Sequence, residues 1–256
     1  MNIVILGSGN VATLLGIALF KAGYDIKQVW SRNKMHAEAL ANLLHTSFTN
    51  DIRQIDSSAD LYLISISDDA IPSLMSKLNS FEGIVVHTSG STSIHIFKNK
   101  FSRYGVFYPI QTFSKEREAD LKKTPILLEA SDPKTYEALK LIALSISDHV
   151  QQCSSDQRRT LHLAAVFACN FTNHLYTIAQ SLLEANQLDF DLLRPLIAET
   201  ALKVQKLSPN QVQTGPAVRN DLITINSHLK QLENQPGFLE IYRLLSEQII
   251  SSTSKN

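Results

Sequence analysis

The stretch that decides the fold is MNIVILGSGNVA, residues 1–12. An apolar run typical of a β-strand ends at Gly7 and a helical pattern begins by Val11, so a G-x-G-x-x-A pattern lies between a strand and a helix. Gly7 allows a tight turn, and Gly9 has no Cβ to obstruct a pyrophosphate. The pyrophosphate then meets the N–H groups and the positive dipole end of the helix. We therefore predict a dinucleotide-binding turn formed by Gly7, Ser8, Gly9, Asn10 and Val11.

The end of the second predicted strand, residues 26–30, indicates which dinucleotide is bound. Proteins that bind NAD usually carry Asp or Glu there, which accepts hydrogen bonds from the ribose hydroxyls. Here the strand is followed by Ser31 and Arg32, a hydroxyl and a guanidinium that match a 2′-phosphate. Alternatively, these two residues only open a surface loop before the next helix. We predict NADP as the cofactor.

Composition excludes several function classes. Lys and Arg together number 24, as do Asp and Glu, so no nucleic-acid-binding surface is expected. Cys153 and Cys169 lack the spacing of a metal site and are predicted to be buried apolar residues. The first predicted strand begins at residue 2, so no signal peptide is expected. The most apolar stretch, residues 161–171, is too short to span a bilayer. We expect a cytoplasmic protein without a metal or a membrane partner.

The pattern of segments divides the chain into two parts. Strand-like and helix-like segments alternate over residues 1–153, which predicts a doubly wound α/β Rossmann domain with seven or eight mostly parallel strands. From Ser154 onward only helical patterns remain. They cover approximately residues 154–184, 189–207, 216–234 and 237–251. We therefore predict a Rossmann NADP-binding domain over 1–153 and an all-α domain over 154–256.

Two loops follow neighbouring strands of the predicted sheet, at the edge where open α/β sheets bind their ligands. We expect both loops to contact the cofactor. Their residues are Ser65, Ile66 and Ser67 in the first loop, and Thr88, Ser89 and Gly90 in the second.

The predicted helix over residues 158–184 is apolar around most of its circumference, which is typical of a buried core element. At about 100° per residue its polar residues fall on one stripe, and burying them unpaired would cost about 1–3 kcal/mol each. The stripe comprises His162, Asn170, Asn173, Thr177 and Gln180. It faces a polar cleft against the dinucleotide domain, or else forms a network between packed helices or a hydrated dimer interface.

Four residues later in the chain are open to more than one interpretation. Thr214 is a plausible cap for the helix expected from residue 216. Arg219 and Asp221 either orient a substrate carboxylate or stabilise the turn. His228, two to three turns along that helix, is predicted to be structural.

Several motifs together resemble a known group of proteins. G-S-G-N-V-A at 7–12, S-R-N at 31–33 and the all-helical second half resemble pyrroline-5-carboxylate reductase, the deazaflavin-dependent NADP reductases and the wider 6-phosphogluconate dehydrogenase-like superfamily. Four further motifs resemble one family that pairs a Rossmann-like domain with a helical domain of unknown function. They are H-T-S-G-S at 87–91, Y-P-I-Q-T-F at 108–113, A-V-F-A-C-N-F-T-N-H at 165–174 and T-G-P-A-V-R-N-D at 214–221. The resemblance covers essentially the whole chain and implies NADP oxidoreductases with a 6-phosphogluconate dehydrogenase-like C-terminal domain.

The resemblance also suggests catalytic residues. In the β-hydroxyacid dehydrogenase branch, a catalytic Lys stands four residues before an Asn on the first long helix of the second domain. Asn170 matches that Asn, but Val166 occupies the Lys position. His162, one turn earlier, is the nearest titratable group that could supply a proton. We predict His162, Asn170 and Asn173 as catalytic residues of an NADP(H)-dependent oxidoreductase that acts on a small polar substrate in the interdomain cleft.

Two further expectations concern alternatives and assembly. The missing Lys would also suit a non-catalytic dinucleotide-binding protein whose helical domain serves dimerisation or a protein partner. A helical domain of about 100 residues has a marginal core by itself. Its apolar central helix therefore predicts a C₂ homodimer, with the side around Ala168 and Phe171 in the dimer core.

Overall fold

The computed structural model describes residues 1–112 and 120–253; Phe113, the last residue of the Y-P-I-Q-T-F motif, lies outside them. The chain forms two compact units, Met1–Cys169 and Asn170–Asn256. The predicted domain boundary at residues 153 and 154 stays a prediction. In the first unit the strands are β1 (Asn2–Leu6), β2 (Asp25–Trp30), β3 (Ser47–Thr49), β4 (Leu61–Ile64), β5 (Ile84–His87), β6 (Tyr104–Pro109), β7 (Ile126–Ala130) and β8 (Val150–Gln152). Its helices are α1 (Asn10–Lys21), α2 (Lys34–Leu43), α3 (Ile71–Lys77), α4 (Pro133–Ile146) and α5 (Ser155–Ala165).

The eight strands form one sheet in the order β3-β2-β1-β4-β5-β6-β7-β8. Every neighbouring pair is parallel except β6 and β7, which are antiparallel. This arrangement confirms the predicted doubly wound α/β sheet. Because β1, β2, β4, β5 and β6 run in the same direction, the loops that follow them meet at one edge of the sheet.

The core lies on both faces of this sheet. Successive side chains of a strand point to opposite faces. Thus Ile3 and Ile5 of β1 belong to a buried cluster that includes residues of α1, α2 and α4. Val4 and Leu6 belong to a second buried cluster that includes residues of α3. Burial on both faces explains why β1 and β4 are continuous apolar runs.

The second unit is entirely helical in the part that the structure describes. After a π-helical segment, Val166–Phe171, the helices are α6 (Thr172–Glu184), α7 (Arg194–Val204), α8 (Pro209–Val212), α9 (Leu222–Gln231) and α10 (Pro236–Thr253). None of the helices in residues 1–112 and 120–253 is long and apolar enough to cross a membrane.

Two expectations about the long helix are wrong for the single chain. It is not buried, since Leu163 is 58% exposed and Phe167 62%. It is also not one regular helix, because the π-helical segment separates α5 from α6. The angular spacing assumed for the polar stripe therefore does not hold across that segment. Apolar periodicity predicts that one helix face is buried, but it does not show whether the same chain or a second chain buries it.

Smaller differences have local causes. Cys153 is buried as predicted, but Cys169, on the π-helical segment, is exposed. The helix expected from residue 216 begins at Leu222, since the Asp221 carboxylate caps it by accepting from the Thr224 backbone N–H at 3.1 Å. Thr214 is therefore not a cap. His228 is hydrogen-bonded to the Tyr242 hydroxyl at 2.8 Å.

Candidate functional site

The turn between β1 and α1 is built around two glycines with different surroundings. Gly7 has φ +136°, and a Cβ there would lie 2.0 Å from the Ser65 carbonyl oxygen, so this position requires glycine. A Cβ on Gly9 would have no neighbour within 4 Å. Gly9 precedes α1 without a side-chain cap, and the first turn of α1 holds no acidic residue. Asn10 and Val11 begin this helix. The open space and the uncapped helix end fit a dinucleotide diphosphate.

The end of β2 lies against this turn. The Ser8 hydroxyl donates a hydrogen bond to the Ser31 hydroxyl at 2.8 Å, which joins the two loops. Arg32 is exposed, and within the described parts of the chain no carboxylate pairs with it. The first turn of α2, which follows, also lacks acidic residues. This end of the sheet thus offers hydroxyl and guanidinium groups where an NAD site would offer a carboxylate.

The loops after β4 and β5 approach the same turn. The Ser65 and Thr88 hydroxyls are hydrogen-bonded at 2.9 Å. A Cβ on Gly7 would also lie 3.3 Å from the Ile66 side chain. Ser67 follows and is exposed. The structure therefore brings the four predicted cofactor-binding segments, including the end of β2, together at the carboxyl edge of the sheet.

His162 lies at the same edge, on α5. This helix begins with a capping box in which the Ser154 hydroxyl accepts from the Gln157 backbone N–H. The His162 Nδ1 atom is 3.2 Å from the Tyr108 hydroxyl, at the end of β6. A Cβ on Gly90 would lie 2.7 Å from the same Nδ1, so the imidazole rests directly on this loop. A predicted catalytic residue and a predicted cofactor-loop residue are therefore in contact.

Tyr108 is the group that completes this cluster. Its hydroxyl is half-buried, and burial raises the pKa of the phenol, an effect that the negative charge of Asp68 reinforces. Asp68 in turn accepts a hydrogen bond from the Ser91 hydroxyl at 2.5 Å. Sequence reasoning quoted Tyr108 as part of a motif but gave it no role. Its place at the carboxyl end of a strand next to β5 was the signal that could have identified it.

Sequence reasoning also missed a buried ion pair. Arg158 is fully buried, and its Nη1 donates to Glu129 Oε2 of β7 at 2.7 Å. Its other terminal nitrogen donates to the Thr92 carbonyl at 2.5 Å and to the Ser155 hydroxyl at 3.2 Å. A lone arginine on a helix predicted to be mostly apolar gave no indication of these contacts, because its partners are far away in sequence.

His87, the last residue of β5, is fully buried beneath the loop that carries Gly90. Its Nδ1 accepts a hydrogen bond from the Ser89 backbone N–H at 3.2 Å, whereas its Nε2 has no partner among the described residues. Burial lowers the pKa of this imidazole to about 3, and the positive charge of Arg158 acts in the same direction. The ring is therefore neutral at physiological pH and serves to support the loop.

The two predicted catalytic asparagines are placed differently. Asn170 is exposed on the π-helical segment. Asn173, in the second unit, lines a groove of about 400 Å³ between α6 and α7. Of the predicted polar stripe, Thr177 and Gln180 line this groove as well, together with Arg194. No group of side chains that could hold a metal ion occurs among residues 1–112 and 120–253.

Comparisons with known proteins identify the family and the fold of this chain. Residues 2–89 match the family model described as NADP oxidoreductase, coenzyme F420-dependent, and residues 124–249 match a domain of unknown function (DUF2520). No curated protein matches the chain in sequence. Among solved structures, a "putative NADP oxidoreductase" from Bacteroides fragilis is 42% identical, with a TM-score of 0.91, and the match covers 98% of each chain.

More distant structures share the fold. A protein from Thermotoga maritima is 23% identical, with a TM-score of 0.78, over 96% of this chain and 98% of that one. An imine reductase from Myxococcus stipitatus, solved with NADP⁺, is 16% identical, with a TM-score of 0.62, over 100% of this chain and 93% of that one. The close and complete match to the Bacteroides protein carries the assignment. This chain belongs to the family of NADP oxidoreductases that join a Rossmann-like dinucleotide-binding domain to a DUF2520 domain.

Proposed function

We propose that this protein is an NADP(H)-dependent oxidoreductase that acts on a small polar substrate beside His162. One observation carries the proposal. The His162 imidazole contacts Gly90 and Tyr108 at the same sheet edge as the uncapped end of α1. A titratable group thus stands next to the loops that fit a dinucleotide.

The cofactor would lie along the carboxyl edge of the sheet. The backbone from Gly7 to Val11 would hold the diphosphate at the end of α1, and Ser31 and Arg32 would hold the 2′-phosphate. The loops Ser65–Ser67 and Thr88–Gly90 line the rest of its path. When bound, the nicotinamide ring supplies or accepts the hydride.

The protein's own contribution is a proton held at a defined atom. As a general acid His162 would act in its imidazolium form, in which Nδ1–H donates to the Tyr108 hydroxyl and the Nε2 proton passes to a developing anion on the substrate, leaving a neutral ring. Tyr108 also fixes the orientation of the ring. Asn170 and Asn173 are proposed as substrate-contacting amides on the basis of the sequence.

Turnover with NADPH tests the proposal. Purified protein is incubated with NADPH and a panel of imines, keto acids and aldehydes, and the loss of absorbance at the nicotinamide band is followed. Turnover of at least one class is expected. NADPH binding without turnover of any compound would instead support the second candidate function, a non-catalytic dinucleotide-binding protein. The observation that favours this alternative is Val166, which occupies the position of the superfamily's catalytic Lys.

We also propose that the protein acts as a homodimer. Among the described residues beyond 169 only Ala217, Ile225, Leu232 and Ser246 are buried. Large apolar side chains that the single chain leaves exposed include Phe171, Leu188, Leu192, Leu196, Leu202 and Leu207. An isologous partner would cover these side chains.

Light scattering of purified protein tests the dimer. A mass of twice 28.5 kDa is expected. Phe171→Glu should lower the mass to that of a monomer, whereas Leu141→Glu, at an exposed apolar position of α4, should leave the dimer intact. A monomeric wild type would contradict the proposal, and a dimeric Phe171→Glu would place the interface elsewhere.

A further inference from the structure

Arg158 is the most deeply buried charged side chain among the described residues and has no role in the proposed chemistry. Its side chain is 1% exposed, while that of its partner Glu129 is 18% exposed. Burying a guanidinium is unfavourable unless its charge and its N–H groups are matched. Here the two terminal nitrogens of the guanidinium are matched by one carboxylate, one carbonyl and one hydroxyl, all on different segments of the first unit, while its buried Nε–H has no partner among the described residues.

The contacts of Arg158 converge on the loop that follows β5. Its Nη2 holds the Thr92 carbonyl, and the Ser155 hydroxyl, which donates to Glu129 at 2.7 Å, accepts from the Ile94 backbone N–H at 3.0 Å. This loop is therefore connected to β7 and to α5 by the hydrogen bonds of Glu129, Ser155 and Arg158. The two ends of the fastened segment are Thr92 and Ile94.

The same loop is held by hydrogen bonds between Ser89 and Thr92. The Ser89 hydroxyl accepts from the backbone N–H groups of Ser91 at 3.2 Å and Thr92 at 2.9 Å, and it donates to the Thr92 hydroxyl at 2.9 Å. These bonds form a closed turn with Gly90 near its apex. A displacement of Thr92 is thus transmitted to Gly90, on which the His162 ring rests.

Arg158 and His162 meet this loop from one face of α5. They are four residues apart, which places them one above the other, about 6 Å apart along the helix axis. Arg158 holds the loop at Thr92, and His162 contacts it at Gly90. The contact between Arg158 and Thr92, one helical turn before His162, therefore determines how close the loop lies to α5 at His162.

We propose that Arg158 is a positioning residue, which keeps His162 within hydrogen-bonding distance of Tyr108 by fastening the loop after β5 to α5. The importance of this role for catalysis rests on the proposed function of His162. Arginine suits the task because its planar fork can donate to Glu129 and Thr92 at once, whereas the single ammonium of lysine is a point charge.

The test uses variants of Arg158 and a spectroscopic readout at His162. The full-length protein is labelled with ¹⁵N-histidine, and the ring signals are assigned with His162→Gln. We expect Arg158→Gln to move the His162 ring signals to the positions that they occupy in Tyr108→Phe, which lacks the hydroxyl. Arg158→Lys should move them part of the way. Arg159→Gln is the matched control, because Arg159 is exposed on the same helix and pairs only with Asp156 among the described residues.

Kinetics separate positioning from a general structural effect. In Arg158→Gln, kcat should fall 10- to 100-fold, while KM and the Kd of NADPH change less than threefold; Arg158→Lys should recover part of kcat. Unshifted His162 signals in a folded Arg158→Gln would overturn the proposal. If Arg158→Gln does not fold, unshifted His162 signals in Arg158→Lys would overturn the proposal instead. The spectra need no substrate, so shifted signals in a protein without turnover would refute the proposed function and leave the positioning role intact.

Discussion

Alanine substitutions at Gly7 and Gly9 should have different consequences, the first mainly for stability and the second mainly for cofactor binding, although the two residues belong to the same turn. At Gly7 the added methyl would lie 2.0 Å from the Ser65 carbonyl oxygen, whereas ordinary contact begins at 3.4 Å. Gly7 and Ser65 directly follow β1 and β4, which are paired in register up to Leu6 and Ile64. The clash can be relieved only by opening the sheet, since no flexible side chain can move aside.

The magnitudes follow from this geometry. Overpacking costs about 1–3 kcal/mol and a strained positive φ a similar amount, so Gly7→Ala should lose about 2–6 kcal/mol of unfolding free energy. At Gly9 the φ of −81° suits alanine, and the methyl meets no atom within 4 Å. Its stability cost is that of a poorer helix cap, about 0.5–1 kcal/mol. The methyl instead occupies the space proposed for the diphosphate, and losing one or two charge-assisted bonds raises Kd by about 10- to 100-fold.

Two measurements separate these effects. Denaturant unfolding gives the stability of each variant, and fluorescence titration gives the Kd of NADPH. Gly237→Ala is the matched control, because a methyl there also meets no atom within 4 Å. A Gly9→Ala variant that binds NADPH as tightly as the wild type would refute the proposed diphosphate position. A Gly7→Ala variant of unchanged stability would refute the description of the turn.

Three further predictions address other parts of the site. Arg32→Ala should raise the Kd of NADPH by about 10- to 100-fold and leave that of NADH unchanged, because only the 2′-phosphate contact is lost; equal affinities of the wild type for both cofactors would show that β2 does not recognise the phosphate. Because the pKa of His87 is about 3 in the folded protein and 6.5 ordinarily, stability should fall by about 1.4 kcal/mol per pH unit as pH drops from 6.5 towards 3. His87→Gln should lose this part of the slope in denaturant titrations, and an unchanged slope would contradict the buried neutral state. Gly90→Ala should displace the His162 ring from Tyr108 and lower kcat about 10- to 100-fold with little change in Kd of NADPH; wild-type kcat would show that this contact is dispensable.

The sequence was sufficient to predict the sheet and its ligand-binding edge. Strands buried on both faces are continuous apolar runs, and the carboxyl ends of parallel strands meet at one edge whatever their order. This is why Gly7, Ser65 and Thr88 could be placed near one another without a structure. The contact between His162 and Gly90 could not be derived, because it depends on how α5 packs against a loop 72 residues earlier in the chain.

The remaining errors came from features that local patterns do not encode. Arg158 and Glu129 are 29 residues apart, and neither lies in a motif. The apolar periodicity of residues 158–184 is real, but it does not distinguish a surface buried within one chain from a surface available to a second chain. At residues 214–222 two capping residues competed, and the Asp221 carboxylate, hydrogen-bonded to the backbone N–H and the hydroxyl of Thr224, determined where α9 begins.

The central claim is that His162 supplies the proton for a reaction whose reductant is NADPH. The most direct measurement is kcat of His162→Gln with NADPH and any compound that the wild type reduces, alongside the Kd of NADPH. His149→Gln, an exposed histidine in the same unit, is the control. The account predicts a fall in kcat of about 100- to 10,000-fold in His162→Gln, the range typical of general acid catalysis, with the Kd of NADPH unchanged and His149→Gln fully active. A His162→Gln variant with the kcat of the wild type would contradict it.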